Sequence, residues 1–227
     1  MKKSFLISLF FGVIFLQCGF LTTSEQAIVE VHGLEGLRYS EVLDILNIES
    51  SVRLGQVDLS SWHNALEKHP RVSKVSIKKQ AGILKIYIEE KKIEWLVQSS
   101  GKLYELDSNL KIISIDDVRS KWLPILSGVF KTNKDEIQGS SFLALIQQVN
   151  NLFALFPELK ERISEVHLSK DGIIYIYLHH PSRMVVEMGV YLSTLQSKKL
   201  YSSIAYLENS NSKAQFMDLS GEDAFFY

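Results

Sequence analysis

The sequence has a single cysteine in 227 residues, Cys18, and that thiol lies inside an apolar N-terminal stretch. Everything downstream is free of thiols, which excludes a disulfide and a thiolate metal site there. This suits an oxidising compartment. An excess of either charge is also missing. Twenty-five Lys and Arg stand against 26 Asp and Glu, a formal net charge of −1. Nothing global pulls such a chain toward nucleic acid. The glycines never form a phosphate cradle, because neither G-x-G-x-x-G nor a P-loop occurs. Repeats and low-complexity segments are absent. What remains is ordinary globular material: 46% hydrophobic and 22% charged residues. The length suits two small folded units after the N-terminal segment.

Polar clusters of the kind that carry catalysis are scarce as well. His179 and His180 are adjacent, so in a strand they point to opposite faces and cannot share one metal in regular geometry. They read as surface histidines before a turn. His63 and His69 lie six residues apart across a helix end, with no carboxylate cluster beside them. Asp116-Asp117 and Asp135-Glu136 are loop acids without a matched partner for general acid and base work. Asp107 sits at a turn, where its side chain accepts from nearby backbone N–H groups. Lys74, Lys78, Lys79, Lys85, Lys91 and Lys92 form a basic run. It reads as a solvated strand face, with a docking surface for acidic segments or lipid headgroups as the rival. No catalytic residue, metal ligand or cofactor site is expected.

The stretch that organises the chain runs from Lys68 to Glu90. Pro70 stops a helical pattern coming from Leu59. Val75 and Ile77 then face one way, with Lys74, Ser76 and Lys78 facing the other. Gln80-Ala81-Gly82 makes a turn. Leu84, Ile86 and Ile88 share the next inner face. Upstream, Ile28 to Val31 reads as a strand ending at Gly33. Ser40 is expected to cap a helix over Glu41 to Leu46, and Asp58 a second with Leu59, Trp62, Ala65 and Leu66 as its apolar stripe.

The second unit starts near Trp95 with a hairpin, Leu96 to Gln98 and Lys102 to Leu106. Ser140 or Ser141 is expected to cap a helix through about Phe156, stopped by Pro157. Strands follow at Val166 to Leu168, Ile173 to Leu178 and Met184 to Met188. Ser193 or Thr194 caps a helix to Leu207, and two strands, Ala214 to Leu219 and Ala224 to Tyr227, close the unit. The arrangement is α+β with a largely antiparallel sheet.

The N-terminal run from Phe5 to Leu21 is uncharged and follows Lys2 and Lys3. As a helix it spans roughly 26 Å, the short end for a membrane crossing. The lysines before it and Glu25 after it favour a cytoplasmic N-terminus. An uncleaved anchor over residues 1–24 is the leading expectation. A lipoprotein signal using Cys18 and a cleaved signal compete, but Gln17 is not small and no A-x-A precedes Leu21.

The order strand, helix, helix, strand, strand, with "VHGLEGLRYSEVLDILNI" and "LEKHPRVSKVSIKKQAGILKIYIEEKK", resembles a POTRA domain, here over residues 27–94. The continuation "IEEKKIEWLVQSSGKLYELDSNLKII" resembles the junction of the FtsQ/DivIB cell-division family. Glu90, Lys91, Gly101, Tyr104 and Asp107 fill its pattern, while Ile93 replaces the usual proline and Asn109-Leu110 the usual glycine turn. "LPILSG" at Leu123 to Gly128 is similar to the family's L-P-x-L-x-G, and "VEMGVYLSTLQSKKLYSSIAYLENSNSKAQFMDLS" to its closing helix and "D-L" strand.

The resemblance implies an inner-membrane, single-pass divisome scaffold with a β-domain over residues 95–227, the bulk of the chain outside the cytoplasm at the division septum. It implies FtsB/FtsL-type bitopic partners and further divisome contacts through the POTRA domain, with no enzymatic step and no nucleic acid. Partner binding would fall on Asp218, Leu219, Ala224, Phe225, Phe226 and Tyr227, with Lys170 flanking the same edge. The aromatic C-terminus reads as an edge strand, with Phe225 and Tyr227 on one face and Phe226 on the other. This chain stops about where the family often runs on, so part of that surface is expected to be missing. A POTRA-bearing assembly or translocation adaptor and an anchored envelope enzyme are the rival readings.

Overall fold

Alternation of apolar and polar residues places one face of every long strand in a core, and two cores result. The computed structural model describes residues 26–227 except 121, 134 and 211–213, and only the backbone of Gln56. The apolar run Phe5–Leu21 and Cys18 lie outside the described residues. Among the described residues, no helix is long and apolar enough to cross a membrane. The chain divides into two compact units between Glu90 and Lys91.

The first unit opens with β1 (Gln26–His32), followed by α1 (Tyr39–Leu46), β2 (Ser51–Arg53), α2 (Leu59–Glu67), β3 (Val72–Gln80) and β4 (Ile83–Glu90). The sheet order is β2-β1-β4-β3, with β1 parallel to β4 and the other pairs antiparallel. The short β2 is an element that the period-two pattern did not reveal; three residues are too few to alternate visibly. Gln80 pairs with Ile83, so Ala81-Gly82 is a two-residue hairpin loop, with Gly82 at φ +70°. Val29, Val75, Ile86 and Ile88 pack against Val42, Leu46 and Leu66 of the two helices. Leu59 belongs to the expected stripe but is exposed, because it is the first residue of α2.

Asp58 caps α2 as expected, its carboxylate accepting from Ser60 N at 3.0 Å and Ser61 N at 3.1 Å. Ser40 does not cap α1. The cap residue is Arg38, whose backbone N–H donates to Glu41 Oε2 at 2.9 Å, so the acid three residues on supplies the closure.

Glu90 closes this unit. Its carboxylate accepts from the backbone N–H groups of Glu35 (2.7 Å), Gly36 (3.0 Å) and Leu37 (2.9 Å), holding the loop before α1 to the end of β4. Charge-assisted bonds of this kind are worth about 1.5–3 kcal/mol each before solvent screening. We expect Glu90→Ala to lower the stability of the first unit by about 2–3 kcal/mol. Amide exchange at Glu35 to Leu37 is the measurement; unchanged protection there would contradict the clamp.

The second unit is built on a nine-stranded sheet. Its strands are β5 (Trp95–Ser99), β6 (Lys102–Leu106), β7 (Ile112–Ile115), β8 (Ile125–Gly128), β11 (Ile163–Leu168), β12 (Ile174–Leu178), β13 (Met184–Gly189), β14 (Phe216–Asp218) and β15 (Phe225–Phe226). The order across the sheet is β15-β14-β13-β12-β11-β8-β5-β6-β7. The sheet is mixed: β13 with β14, β11 with β8, and β8 with β5 run parallel. A small hairpin, β9 (Lys131–Asn133) with β10 (Glu136–Gln138), forms a separate two-stranded sheet that is bridged to Lys111 and buries Ile137 in the same core.

Two helices, α3 (Ser140–Leu155) and α4 (Thr194–Ser210), share one core with the sheet. Phe142, Leu145, Val149 and Leu152 of α3 and Leu200 and Ile204 of α4 supply it with buried side chains. Ser193 caps α4, its Oγ accepting from Gln196 N at 3.1 Å. Neither Ser140 nor Ser141 caps α3; Gly139 is the cap residue, with no side-chain bond, and Ser140 already belongs to the helix.

The Asp107 turn forms as expected, with Oδ1 accepting from Asn109 N at 2.8 Å and Lys111 N at 3.0 Å. Leu110 takes φ +62° there, the left-handed conformation usually given to glycine. Nearby, Glu105 is fully buried. It accepts from Ser114 Oγ (2.6 Å), Arg119 N (2.8 Å) and Ser120 N (2.7 Å), and so ties the segment after β7 to β6.

Candidate functional site

The sheet of the second unit has one face in the core and one facing away from the helices. Register fixes which residues lie on each. Val97, Leu126, Val166, Ile176, Val186 and Met217 form a cross-strand row, and all are buried. The residues on either side of that row point the other way. One outer row reads Ser127, His167, Tyr175, Glu187, Asp218 and Phe225 from β8 to β15. The second reads Ile125, Glu165, Tyr177, Val185 and Phe216, ending beside Tyr227. Most of these side chains are half-buried, and Phe225 and Tyr227 are exposed.

A Ser, a His and a Glu meet on this face, although they stand 38 and 40 residues apart in sequence. Ser127 Oγ contacts both Glu165 Oε1 and His167 Nδ1, the latter at 2.6 Å. Parallel pairing of β8 with β11 brings them together. The geometry is not that of a nucleophile relay. The carboxylate meets the serine rather than the far imidazole nitrogen, and its distance to His167 Nδ1 is 3.9 Å. One consistent assignment has the Ser127 hydroxyl donating to Glu165 and accepting from His167 Nδ1–H, a tie between two strands. No sequence signal exposes this cluster, because only the strand order makes the residues neighbours.

At the end of the sheet, β15 is the edge strand. Met217 pairs with Phe226 and Asp218 with Phe225. Tyr227 N–H donates to Phe216 O at 3.0 Å, and Gln215 N–H donates to Tyr227 O at 2.8 Å. The aromatic residues alternate as the sequence implied. Phe226 packs on the core, its ring 5.6 Å from that of Tyr206. Phe225 (52% exposed) and Tyr227 (70% exposed) lie on the outer face, and the Tyr227 ring is 6.0 Å from Phe216. Lys199 Nζ holds the loop before β15 through the carbonyls of Gly221 (2.8 Å) and Asp223 (2.6 Å).

Three of the expected partner-binding residues therefore face inward. Leu219 is fully buried in the core, while Ala224 and Phe226 are half-buried against it. Asp218 lies on the outer face, but its carboxylate already accepts from Ser220 Oγ (2.6 Å) and Ser220 N (2.8 Å), and these bonds hold its pKa below the usual carboxylate range. Lys170 does not flank the edge. Its turn joins β11 to β12, and β13 and β14 separate β12 from β15, roughly 14 Å at about 4.8 Å per strand.

Several of the remaining candidates make local contacts. His180 Nε2 lies 3.6 Å from Glu208, which also bonds Arg162 at 2.6 Å. His63 faces Glu67 at 3.5 Å, one turn away on α2. Lys78 stands over the Tyr87 ring at 5.5 Å, and Lys92 pairs with Glu94 at 2.7 Å. Among the described residues, no group of three or more His, Cys, Asp or Glu has the geometry of a metal site. A groove of about 570 Å³ lies against Leu96 and Ile125, walled by Trp122, Leu123 and Pro124. Trp122 is 92% exposed.

Comparison with known families bears on the first unit. Residues 24–91 match the model of the POTRA domain, FtsQ-type. No curated protein matches the chain. The first unit is thus a POTRA domain of the FtsQ type, joined to a β-rich α+β unit. This match supports the resemblance to the FtsQ/DivIB family and points to a role in cell division.

Proposed function

We propose that this protein is a non-enzymatic scaffold of the division machinery. In this reading the run Phe5–Leu21 anchors it in the inner membrane, and both folded units work outside the cytoplasm at the septum. One observation carries the proposal: an FtsQ-type POTRA domain at residues 24–91. The nine-stranded sheet supports it with an open edge at β15. A strand whose outer N–H and C=O groups lack a neighbouring strand is a template for β-addition. Main-chain bonds then provide affinity and the alternating side chains provide selectivity. Small bitopic division proteins of the FtsB/FtsL type are the partners this reading assigns to the edge, and the POTRA domain would recruit other divisome proteins.

The test follows from the alternation. Phe226 faces the core, so replacing it would confuse folding with binding. Phe225→Glu and Tyr227→Glu change only exposed rings. We expect each to reduce co-purification of a bitopic coiled-coil division protein from membranes about tenfold, with an unchanged thermal melt. Retained capture by the folded double variant would rule out the edge. A fluorescent fusion that fails to gather at the septum would overturn the divisome reading itself.

A further inference from the structure

The outer face of the sheet differs in character from its edge. Across β11 to β15 its two rows carry three carboxylates, Glu165, Glu187 and Asp218, and no lysine or arginine. Between them stand Tyr175, Tyr177 and Phe216, with Phe225 and Tyr227 beyond. Tyr175 pairs with Glu187 across β12 and β13, which sets that carboxylate beside an aromatic ring. Tyr175, Tyr177, Val185 and Phe216 are half-exposed and do not belong to the helix-covered core. From β11 to β15 the strip is roughly 19 Å long at about 4.8 Å per strand, and its two rows lie roughly 6.6 Å apart.

We propose that this face is a second docking surface, and that its occupant is a basic, arginine- or lysine-rich segment of a protein partner. Charge complementarity selects the occupant. Three carboxylates stand on the two rows against one histidine, His167, which lies 3.9 Å from Glu165, and no lysine or arginine. This excess of negative charge repels an acidic peptide or an anionic lipid surface, and attracts a cationic segment. The aromatic rings add faces on which guanidinium and ammonium groups stack. Half-burial of the acids strengthens both effects relative to fully solvated side chains. The inference does not depend on strand addition at β15. Glu165 and Glu187 sit on β11 and β13, away from the edge strand.

The experiment uses the full chain and fluorescent 18-residue probes: an Arg/Leu amphipathic peptide, its Glu/Leu counterpart, and vesicles containing phosphatidylglycerol. The informative variant is Glu165→Gln with Glu187→Gln, which keeps side-chain size and hydrogen-bonding capacity. The control is Glu49→Gln with Glu89→Gln, two exposed acids of the first unit carrying the same charge change. We expect the Arg/Leu peptide to bind at least tenfold more tightly than the Glu/Leu peptide, more weakly as salt rises. The Glu165/Glu187 variant should lose about tenfold and the control less than twofold.

Equal binding of both peptides, or an Arg/Leu affinity unmoved by the double variant at an unchanged melt, overturns the proposal. Vesicle binding that falls only in the Glu165/Glu187 variant overturns it in favour of a lipid surface. If that variant melts early, Tyr177→Ala replaces it, with the same expected loss. Loss of the bitopic partner in Phe225→Glu and Tyr227→Glu, with Arg/Leu binding retained, separates failure of one surface from failure of the other.

Discussion

Gly33→Ala is expected to unfold the first unit at temperatures where the wild type is intact, at a cost of roughly 3–5 kcal/mol. Two causes combine. Gly33 has φ +84°, a conformation that L side chains rarely adopt. A Cβ built there also lies 2.1 Å from the backbone oxygen of Ile88, far inside van der Waals contact. That oxygen belongs to β4, the central strand beside β1, so it cannot yield without disturbing the sheet. Gly82→Ala isolates the two effects. It has φ +70° but nothing within 4 Å of the added carbon, so its cost should be only about 1 kcal/mol. Amide exchange along β4 measures both variants. Equal losses at the two glycines would show that the close approach to Ile88 is not the cause.

The second large effect is expected at Glu105. Replacing it with Leu leaves the N–H groups of Arg119 and Ser120 without this acceptor at a half-buried site, and the Ser114 hydroxyl with only Asp117 O, at 2.9 Å. Each orphaned donor costs about 1–3 kcal/mol, so a total of roughly 3–5 kcal/mol is expected in the second unit. Burial by itself raises the pKa of this carboxyl. The bonds from Ser114 and from the backbone of Ser120 and Arg119 outweigh it, and the folded pKa lies below the ordinary value of 4.5.

The sign of the pH dependence follows. A depressed folded pKa means that the ionised group stabilises the fold above its unfolded pKa. That contribution is lost as pH falls through the folded value. Glu105→Gln should therefore destabilise most near neutral pH, and the gap from wild type should narrow below about pH 4.5. Denaturant titrations across that range are the check. A gap that widens on acidification would contradict the hydrogen-bond account.

Several local features were legible because they depend on neighbours in sequence. Asp58 and Ser193 cap helices where they were expected, and Asp107 closes its turn. The alternation of Phe225, Phe226 and Tyr227 follows from strand geometry alone. Ser40 and Ser140 illustrate the limit of the same logic. Each is a good capping residue, yet Arg38 with Glu41, and Gly139, take the cap positions instead. A helix start is decided by where the chain enters as well as by side-chain preference. Leu219 and Lys170 were misplaced for another reason. Burial of the first and distance of the second from the edge depend on which strands lie next to β14 and β12.

The sequence by itself determined the order of the two helices and the long strands of the first unit, though not the short β2, together with the inward and outward faces of the long strands and most of the apolar stripes of the helices. These follow from periods of two and 3.6 residues, which are written into neighbouring positions. Only the tertiary structure decided that β11 lies parallel to β8, that Ser127 meets Glu165 and His167, and that three carboxylates share one open face. Strand pairing across 40 residues leaves no periodic trace. The entropy of closing such loops changes slowly with length, so chain length alone does not rank the alternatives. The fit of one buried row of side chains against two helices does.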